Sequence, residues 1–288
     1  MCGRVFSSQT LLGETVYMRY NKPETGNERG YRTNMHEYQV TINGLRINAS
    51  YTAGAVNGIF LPLLKKVSEM QQKKGERILI LLAAPPGAGK STLASFLEQL
   101  AKKKKNLKNI QAIGMDGFHR RQEYLMNHYV QRDGEQIPMV QIKGAPITFD
   151  LERLAESVKR VSAGDLCGWP VYDRLLHNPK EDGILVDGDI VFLEGNYLLL
   201  DEPGWRELKQ YADYSISIRA EENMLRTRLI TRRIQTGVDR ESATAFVDFS
   251  DMPNVRLCLQ KTAPADLELQ IDPDGDYRII SGGWHESN

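Results

Sequence analysis

Residues 78–92 read Ile-Leu-Ile-Leu-Leu-Ala-Ala-Pro-Pro-Gly-Ala-Gly-Lys-Ser-Thr, and the reading of this stretch decides the fold. Seven apolar residues, Ile78 to Ala84, run without a polar interruption, the pattern of a strand buried on both faces of a parallel sheet. Pro85, Pro86, Gly87 and Gly89 demand a tight loop, and Lys90, Ser91 and Thr92 open a helix that continues to Ala101. Strand, Gly-rich turn and helix N-terminus together make an anion site, because backbone N–H groups point inward and the helix dipole adds roughly half a positive charge. Pro86, Gly87, Ala88, Gly89, Lys90, Ser91 and Thr92 are therefore the expected nucleotide-binding residues. Lys90 would reach the β- and γ-phosphates of ATP, and the Ser91 hydroxyl would ligate Mg²⁺. The full pattern has Gly at its first position, where this chain carries Ala84; the rest is intact.

Outward from this loop the chain alternates strands and helices. Asn109 to Met115 reads as a second strand, ending at Asp116-Gly117-Phe118-His119, with a helix expected over Arg121 to Gln131 and loop over 132–148. Asp150 can cap a helix from Leu151 to Ala163. Trp169–Asp173 and Gly183–Val186 read as a hairpin pair, Asp189–Glu194 as the third buried strand and Tyr214–Arg219 as the fourth. Helices are expected over 221–235 and 240–249, a fifth strand over Ala265–Ile271, and an edge over Tyr277–Ser281. The expected fold is a doubly wound α/β domain around a mainly parallel five-stranded sheet, with ligands gathered at the strands' carboxyl ends.

The first 75 residues stand apart. Residues 1–34 lack a sustained period and read as an N-terminal extension, disordered and dispensable. Met35 to Ser50 alternates apolar and polar residues around Asn43-Gly44, a strong hairpin signal. Residues 52–74 give an amphipathic helix with Ile59, Leu63, Leu64, Val67 and Met70 at helical spacing, which Pro62 kinks or restarts. Residues 35–75 thus form a small α+β cap, and 76–288 the nucleotide-binding domain.

With 37 basic and 37 acidic residues the net charge is zero, so nothing marks a nucleic-acid surface. No apolar run approaches the roughly 20 residues of a membrane span. Cys2, Cys167 and Cys258 are odd in number and far apart, which suits reduced thiols in a cytoplasm and no zinc site. A homodimer is left open.

Several polar groups fall at strand carboxyl ends. Asp116 faces the same crevice as Lys90 and could take the proton of an attacking hydroxyl; it could equally be half of an ordinary Asp-Gly turn. Glu194 stands where an acidic group holds Mg²⁺ directly or through water. Helix 221–235 carries Arg226, Arg228, Arg232 and Arg233. It reads as a solvated basic face or as a lid, and in the lid reading Arg228 and Arg232 lead as partners of transferring phosphate. Tyr197 to Pro203 imitates the acidic strand of transporter ATPases, and Asp201-x-x-Gly204 a GTPase element. The further signatures of both, LSGGQ and NKxD, are missing.

In combination these motifs resemble the phosphoribulokinase/uridine kinase family of P-loop kinases. They are Pro-Pro-Gly-Ala-Gly-Lys-Ser-Thr, Met115-Asp-Gly-Phe-His119, Pro170-Val-Tyr-Asp-Arg-Leu-Leu-His-Asn-Pro179, a buried strand ending Glu194-Gly-Asn-Tyr-Leu-Leu, and an Arg-rich lid helix. The resemblance spans roughly residues 77–272. It implies the P-loop kinase fold, Asp116 as base, Glu194 on the metal side, and Tyr172, Arg174 and His177 lining the acceptor pocket with His119. It also implies an ATP-dependent kinase acting on a hydroxyl of a small polar metabolite, a nucleoside such as uridine or a pantothenate-like molecule. The polar groups of Tyr172, Asp173, Arg174 and His177 suit an acceptor with several hydroxyls, a sugar, a polyol acid or a nucleoside. Arg174 and Pro179 depart from the uridine kinase pattern, and Asp116-Gly117-Phe118 is nearer the pantothenate kinase version. The alternative is a nucleotide-dependent switch or regulatory ATPase with no small acceptor.

Overall fold

The computed structural model describes residues 8–9, 15–20, 35–42, 45–174 and 176–283. Its centre is the strand Ile78–Ala83, in which no residue exceeds 1% exposure. Alternation sends Ile78, Ile80 and Leu82 to one face and Leu79, Leu81 and Ala83 to the other, and separate apolar clusters cover each. On the first face pack Leu93, Phe96 and Leu97 of the helix Lys90–Lys102 and Leu225 and Leu229 of the helix Glu222–Gln235. On the second pack Leu154, Val158 and Val161 of the helix Leu151–Ser162, with Trp169 and Tyr197. Each buried Leu or Ile contributes about 1.5–3 kcal/mol of transfer free energy, so an apolar run closed on both faces holds the molecule together.

Parallel to this strand lie Ile190–Gly195 on one side, with Gln111–Gly114 beyond it, and Tyr214–Ala220 on the other, with Leu267–Ile271 beyond that. Tyr277–Ser281 closes the outer edge antiparallel, so the five parallel strands gain a sixth. The chain leaves the central strand toward Gln111–Gly114 and leaves Ile190–Gly195 toward Tyr214–Ala220, in the opposite direction. The order therefore reverses between these two neighbours, where open α/β sheets hold their ligands. The phosphate loop and Glu194 border this crevice.

Four local readings shift. The helix expected to reach Gln131 ends at Asn127, and Tyr129–Arg132 pairs with Glu135–Pro138 inside the expected loop. Asp133 and Gly134, at φ 52° and 85°, turn that hairpin, a signal outweighed by the apolar spacing before it. The hairpin expected over Trp169–Asp173 and Gly183–Val186 is longer, Cys167–Asp173 against Asn178–Val186. The helix Met252–Lys261, absent from the sequence reading, starts with Pro in its first turn, where the missing N–H costs nothing.

Ahead of the central strand, Met35–Ile42 pairs antiparallel with Leu45–Thr52; the turn Asn43-Gly44 lies outside the described residues. The pairing reaches further back, because Thr15–Tyr20 and Ser8–Gln9 add two strands from the segment read as an extension. Residues 53–74 are helical throughout, widening over Val56–Phe60 before Pro62 restarts a regular helix at Leu61 that Gly75 ends at φ 74°. Tyr38 seats the cap on the phosphate-loop helix, its hydroxyl 2.7 Å from Ser95 Oγ and its ring edge-on to Phe96.

Candidate active site

The phosphate loop is a turn that only its own residues permit. Gly87 and Gly89 have φ of 83° and 85°, and Gly89 precedes the first helical residue, Lys90. A Cβ on Gly89 would meet nothing within 4 Å, so the space before the helix is open. A Cβ on Gly87 would lie 3.2 Å from the Leu225 carbonyl and 3.1 Å from Leu229 Cγ, which seats the loop against the Arg-bearing helix. Ala84, the departure from the motif, is 3% exposed; its N–H donates to the Gly195 carbonyl at 3.3 Å and its methyl joins the core. Its φ is not positive, so Gly is not required there.

Glu194 rises from the neighbouring strand beside Ser91 and Lys90. Burial pushes its carboxyl up from the ordinary range; the Lys90 ammonium and a hydrogen bond from Ser91 pull it back, and Asp116 adds to the rise. Gly114 makes room, since a Cβ there would lie 2.9 Å from Glu194 Oε1.

Asp116 sits in a short 3₁₀ turn, Met115–Phe118, at the end of Gln111–Gly114. Gly117 is required for a different reason than a turn φ. The Pro170 carbonyl passes where its Cβ would stand, 1.9 Å away, so the arm Cys167–Asp173 lies directly on this turn. That contact brings Tyr172 near the aspartate, with the exposed Arg174 near Tyr172. His119 Nδ1 donates to the Asp116 carbonyl at 2.8 Å, because a carbonyl oxygen can only accept. Its ring lies 3.9 Å from Phe149 and 5.2 Å from Tyr172. Burial lowers the His119 pKa against the pull of Asp116, which leaves a neutral ring with an accepting Nε2. Burial likewise lifts Tyr172 to about 12, so it stays a phenol donor.

Lys143 was missed by the sequence reading. Its Nζ donates to Gln122 Oε1 at 2.9 Å and to the His177 carbonyl at 3.0 Å, and it lies 4.8 Å from the Tyr172 ring centroid. Burial lowers its pKa to about 8. Nothing in the spacing of 132–148 singles out this lysine; the hairpin reaches it from some thirty residues away. His177 is placed differently from Tyr172: it is an exposed turn residue at φ 52° that offers its carbonyl to the site.

The arginines of the helix Glu222–Gln235 divide. Arg226 is bidentate to Asp248 at 2.6 and 2.7 Å, and Arg233 pairs with Asp251 at 3.4 Å while covering the Phe246 ring, so both tie this helix to the helical stretch 240–251. Arg228 and Arg232 form no ion pair among the described residues. Arg232 is exposed at its surface, yet enough chain surrounds its guanidinium that burial opposes its charge. Asp251 and Asp116 offset this, and Arg174 adds repulsion. Arg228 stands one turn earlier beside Gly275, 3.8 Å from where its Cβ would be.

A model of this architecture matches residues 79–277, under the description Phosphoribulokinase / Uridine kinase family. The chain belongs to that family. It is 40% identical over 244 residues to the "Uncharacterized protein YggC" of Escherichia coli (strain K12), covering 84% of this chain and 99% of that one. It is 30% identical over 205 residues to the "Putative uridine kinase C227.14" of Schizosaccharomyces pombe, covering 69% and 85%. A crystal structure described as a "putative fructose transport system kinase" from Silicibacter sp. TM1040 superimposes with a TM-score of 0.62 at 28% identity. It covers 71% of this chain and 98% of that one. As a member of the phosphoribulokinase/uridine kinase family the protein is an ATP-dependent P-loop phosphotransferase for small metabolites.

Mg²⁺ fits this family member's crevice. A carboxylate desolvated as Glu194 is gains from a cation beside it, and the Asn196 Oδ1 just beyond is buried without a partner. Mg²⁺ bound by one hydroxyl, one carboxylate and phosphate oxygens needs no all-protein cage. Among the described residues no group of three or more His, Cys, Asp or Glu forms one.

Proposed function

We propose that the protein transfers the γ-phosphate of ATP to a hydroxyl of a small, hydroxyl-rich metabolite, a sugar or sugar-derived acid, with Asp116 as the base. The observation that carries this is the convergence on the Asp116 turn of His119, Tyr172, Lys143, Arg174 and Arg232, across the crevice from Lys90 and Glu194. The acceptor oxygen forms its bond to the γ-phosphorus, the bond from that phosphorus to the β–γ bridging oxygen breaks, and ADP leaves. The hydroxyl proton goes to the Asp116 carboxylate. Backbone N–H groups of 86–92 and the Lys90 ammonium hold the phosphates. Ser91 and Glu194 would hold Mg²⁺, which supplies charge neutralisation on the β- and γ-oxygens when bound. Arg232 faces both the acceptor and the transferring group, where its fork meets phosphate oxygens.

Tyr172 donates, His119 Nε2 accepts, and Lys143 keeps a third donor beyond the two in use. Donors and acceptors side by side suit vicinal hydroxyls, because each polar group left unmatched costs about 1–3 kcal/mol. Arg174, Lys143 and Arg232 put three cations around the two carboxylates Asp116 and Asp173, which favours an acceptor carrying negative charge. The fructose named for the Silicibacter structure supports a sugar. The cytoplasm is the setting that supplies ATP and keeps Cys167 and Cys258 reduced.

The test is a panel of sugars, sugar acids, sugar phosphates, uridine and pantothenate, scored for ADP release with MgATP. A sugar or sugar acid should stimulate release most. Uridine as best acceptor overturns the acceptor class, and full turnover without acceptor makes the protein a regulatory ATPase.

A further inference from the structure

Residues 35–74 precede the family match, and their contacts define a role for them. Thr52 ends the hairpin strand Leu45–Thr52 and its Oγ1 donates to Asp276 Oδ1 at 2.8 Å, across 224 residues of sequence. Asp276 closes the turn after Leu267–Ile271, where Asp272 N–H donates to the Asp276 carbonyl at 2.9 Å and Gly275 N–H to the Asp272 carbonyl at 2.8 Å. Tyr51 lies 4.3 Å from Phe96 of the phosphate-loop helix and 6.1 Å from Tyr277, next to that turn. The cap is thus wedged between the phosphate-loop helix and the turn 272–276.

That turn is on the nucleoside side of the site. Phosphoryl transfer places attacking and leaving oxygens in line, so the nucleoside must lie away from the acceptor. Asp116 stands two strands to one side of the central strand. The nucleoside therefore extends over the other side, above Tyr214–Ala220 and Leu267–Ile271, the strand from which the turn 272–276 emerges. Arg228 borders the turn at Gly275, and its charge holds down the Tyr51 and Tyr277 hydroxyls against the upward push of burial.

We propose that the N-terminal cap is a positioning element for the nucleoside end of ATP, with Thr52 and Tyr51 setting the turn 272–276 and, beside it, Arg228. The inference rests on the kinase reading and needs no knowledge of the acceptor. A cap outside the common domain then tunes how firmly the nucleoside is held, leaving phosphate capture to the loop.

The experiment titrates the full chain with MgATP and, separately, with magnesium tripolyphosphate, which offers the phosphates without a nucleoside. Thr52→Val keeps the shape and removes the hydroxyl; Asp276→Ala removes the acceptor and spares the helix cap that Thr52 gives Ala55 N–H. Each should raise the MgATP Kd about fivefold, roughly 1 kcal/mol at 1.4 kcal/mol per tenfold, with the tripolyphosphate Kd unchanged. The double variant should raise the Kd by less than the product of the two single effects, since both singles remove the Thr52–Asp276 contact while each also loses a local one, Ala55 N–H to Thr52 or Tyr277 N–H to Asp276. Thr52→Ser should restore binding. An unchanged MgATP Kd in the Asp276 variant, or equal weakening toward both ligands, overturns the inference. A wild-type chain that binds neither ligand overturns the kinase reading, and the inference with it.

Discussion

The two sides of the crevice are built differently. The phosphate side is continuous in sequence, residues 84–92, and works mainly through backbone N–H groups set by two glycines at positive φ. The side proposed for the acceptor gathers side chains from 116–119, 143, 172–174 and 232, brought together by the hairpin pressed on Gly117. Phosphate is the same group in every nucleotide, so a local backbone device suffices for it. An acceptor is recognised by its particular hydroxyls and charge, and that takes side chains from several elements.

The largest expected effect is on the phosphate side. Lys90→Ala should lower turnover about 10³-fold with the fold intact, because the ammonium acts on developing phosphate charge in an open crevice. Near wild-type ADP release from folded variant would remove the distinction between the two sides. Asp116→Asn should leave MgATP binding unchanged and lower turnover about 10²-fold or more, the scale of a general base. Lost ATP binding with turnover retained would make Asp116 a turn residue.

Gly117→Ala sharpens the comparison structurally. Its Cβ would collide with backbone, so the hairpin arm must move, and the acceptor KM should rise about tenfold or more while the MgATP Kd stays within about twofold. Equal loss on both sides would show that they are one mechanical unit. Among the lid arginines, Arg232→Ala should cost turnover, whereas Arg226→Ala should change activity little, since Arg226 is spent on Asp248. Kinetics of the two variants side by side decide this, and similar losses would return the helix to a general basic face.

The smallest effect is a pH dependence. Burial brings Lys143 to about 8, so its cationic form prevails below that pH and is lost as pH rises through it. The groups facing it are Gln122 Oε1, the His177 carbonyl, Tyr172 and, at longer range, His119. For an anionic acceptor the KM should climb several-fold between about pH 7 and 9. Lys143→Met should start high and stay flat. A wild-type profile parallel to that of Lys143→Met would free the acceptor side from this lysine.

The sequence by itself determined the central strand, the phosphate loop, the parallel sheet and the positions of Asp116 and Glu194. Each depends on short-range physics: apolar runs that need two covered faces, glycines at positive φ, and strand ends that face one crevice. Tertiary structure decided what has no local signal. Lys143 lies in a stretch without period, and its role exists only because the His177 turn folds back onto it. In sequence Gly117 is half of an Asp-Gly turn; in the fold the Pro170 carbonyl occupies the place of its Cβ. Four arginines alike in sequence separated once Asp248 and Asp251 claimed two of them. The role proposed for the cap rests on Thr52 meeting Asp276. Pairings between residues distant along the chain leave no periodicity in either partner, so only the packed molecule displays them.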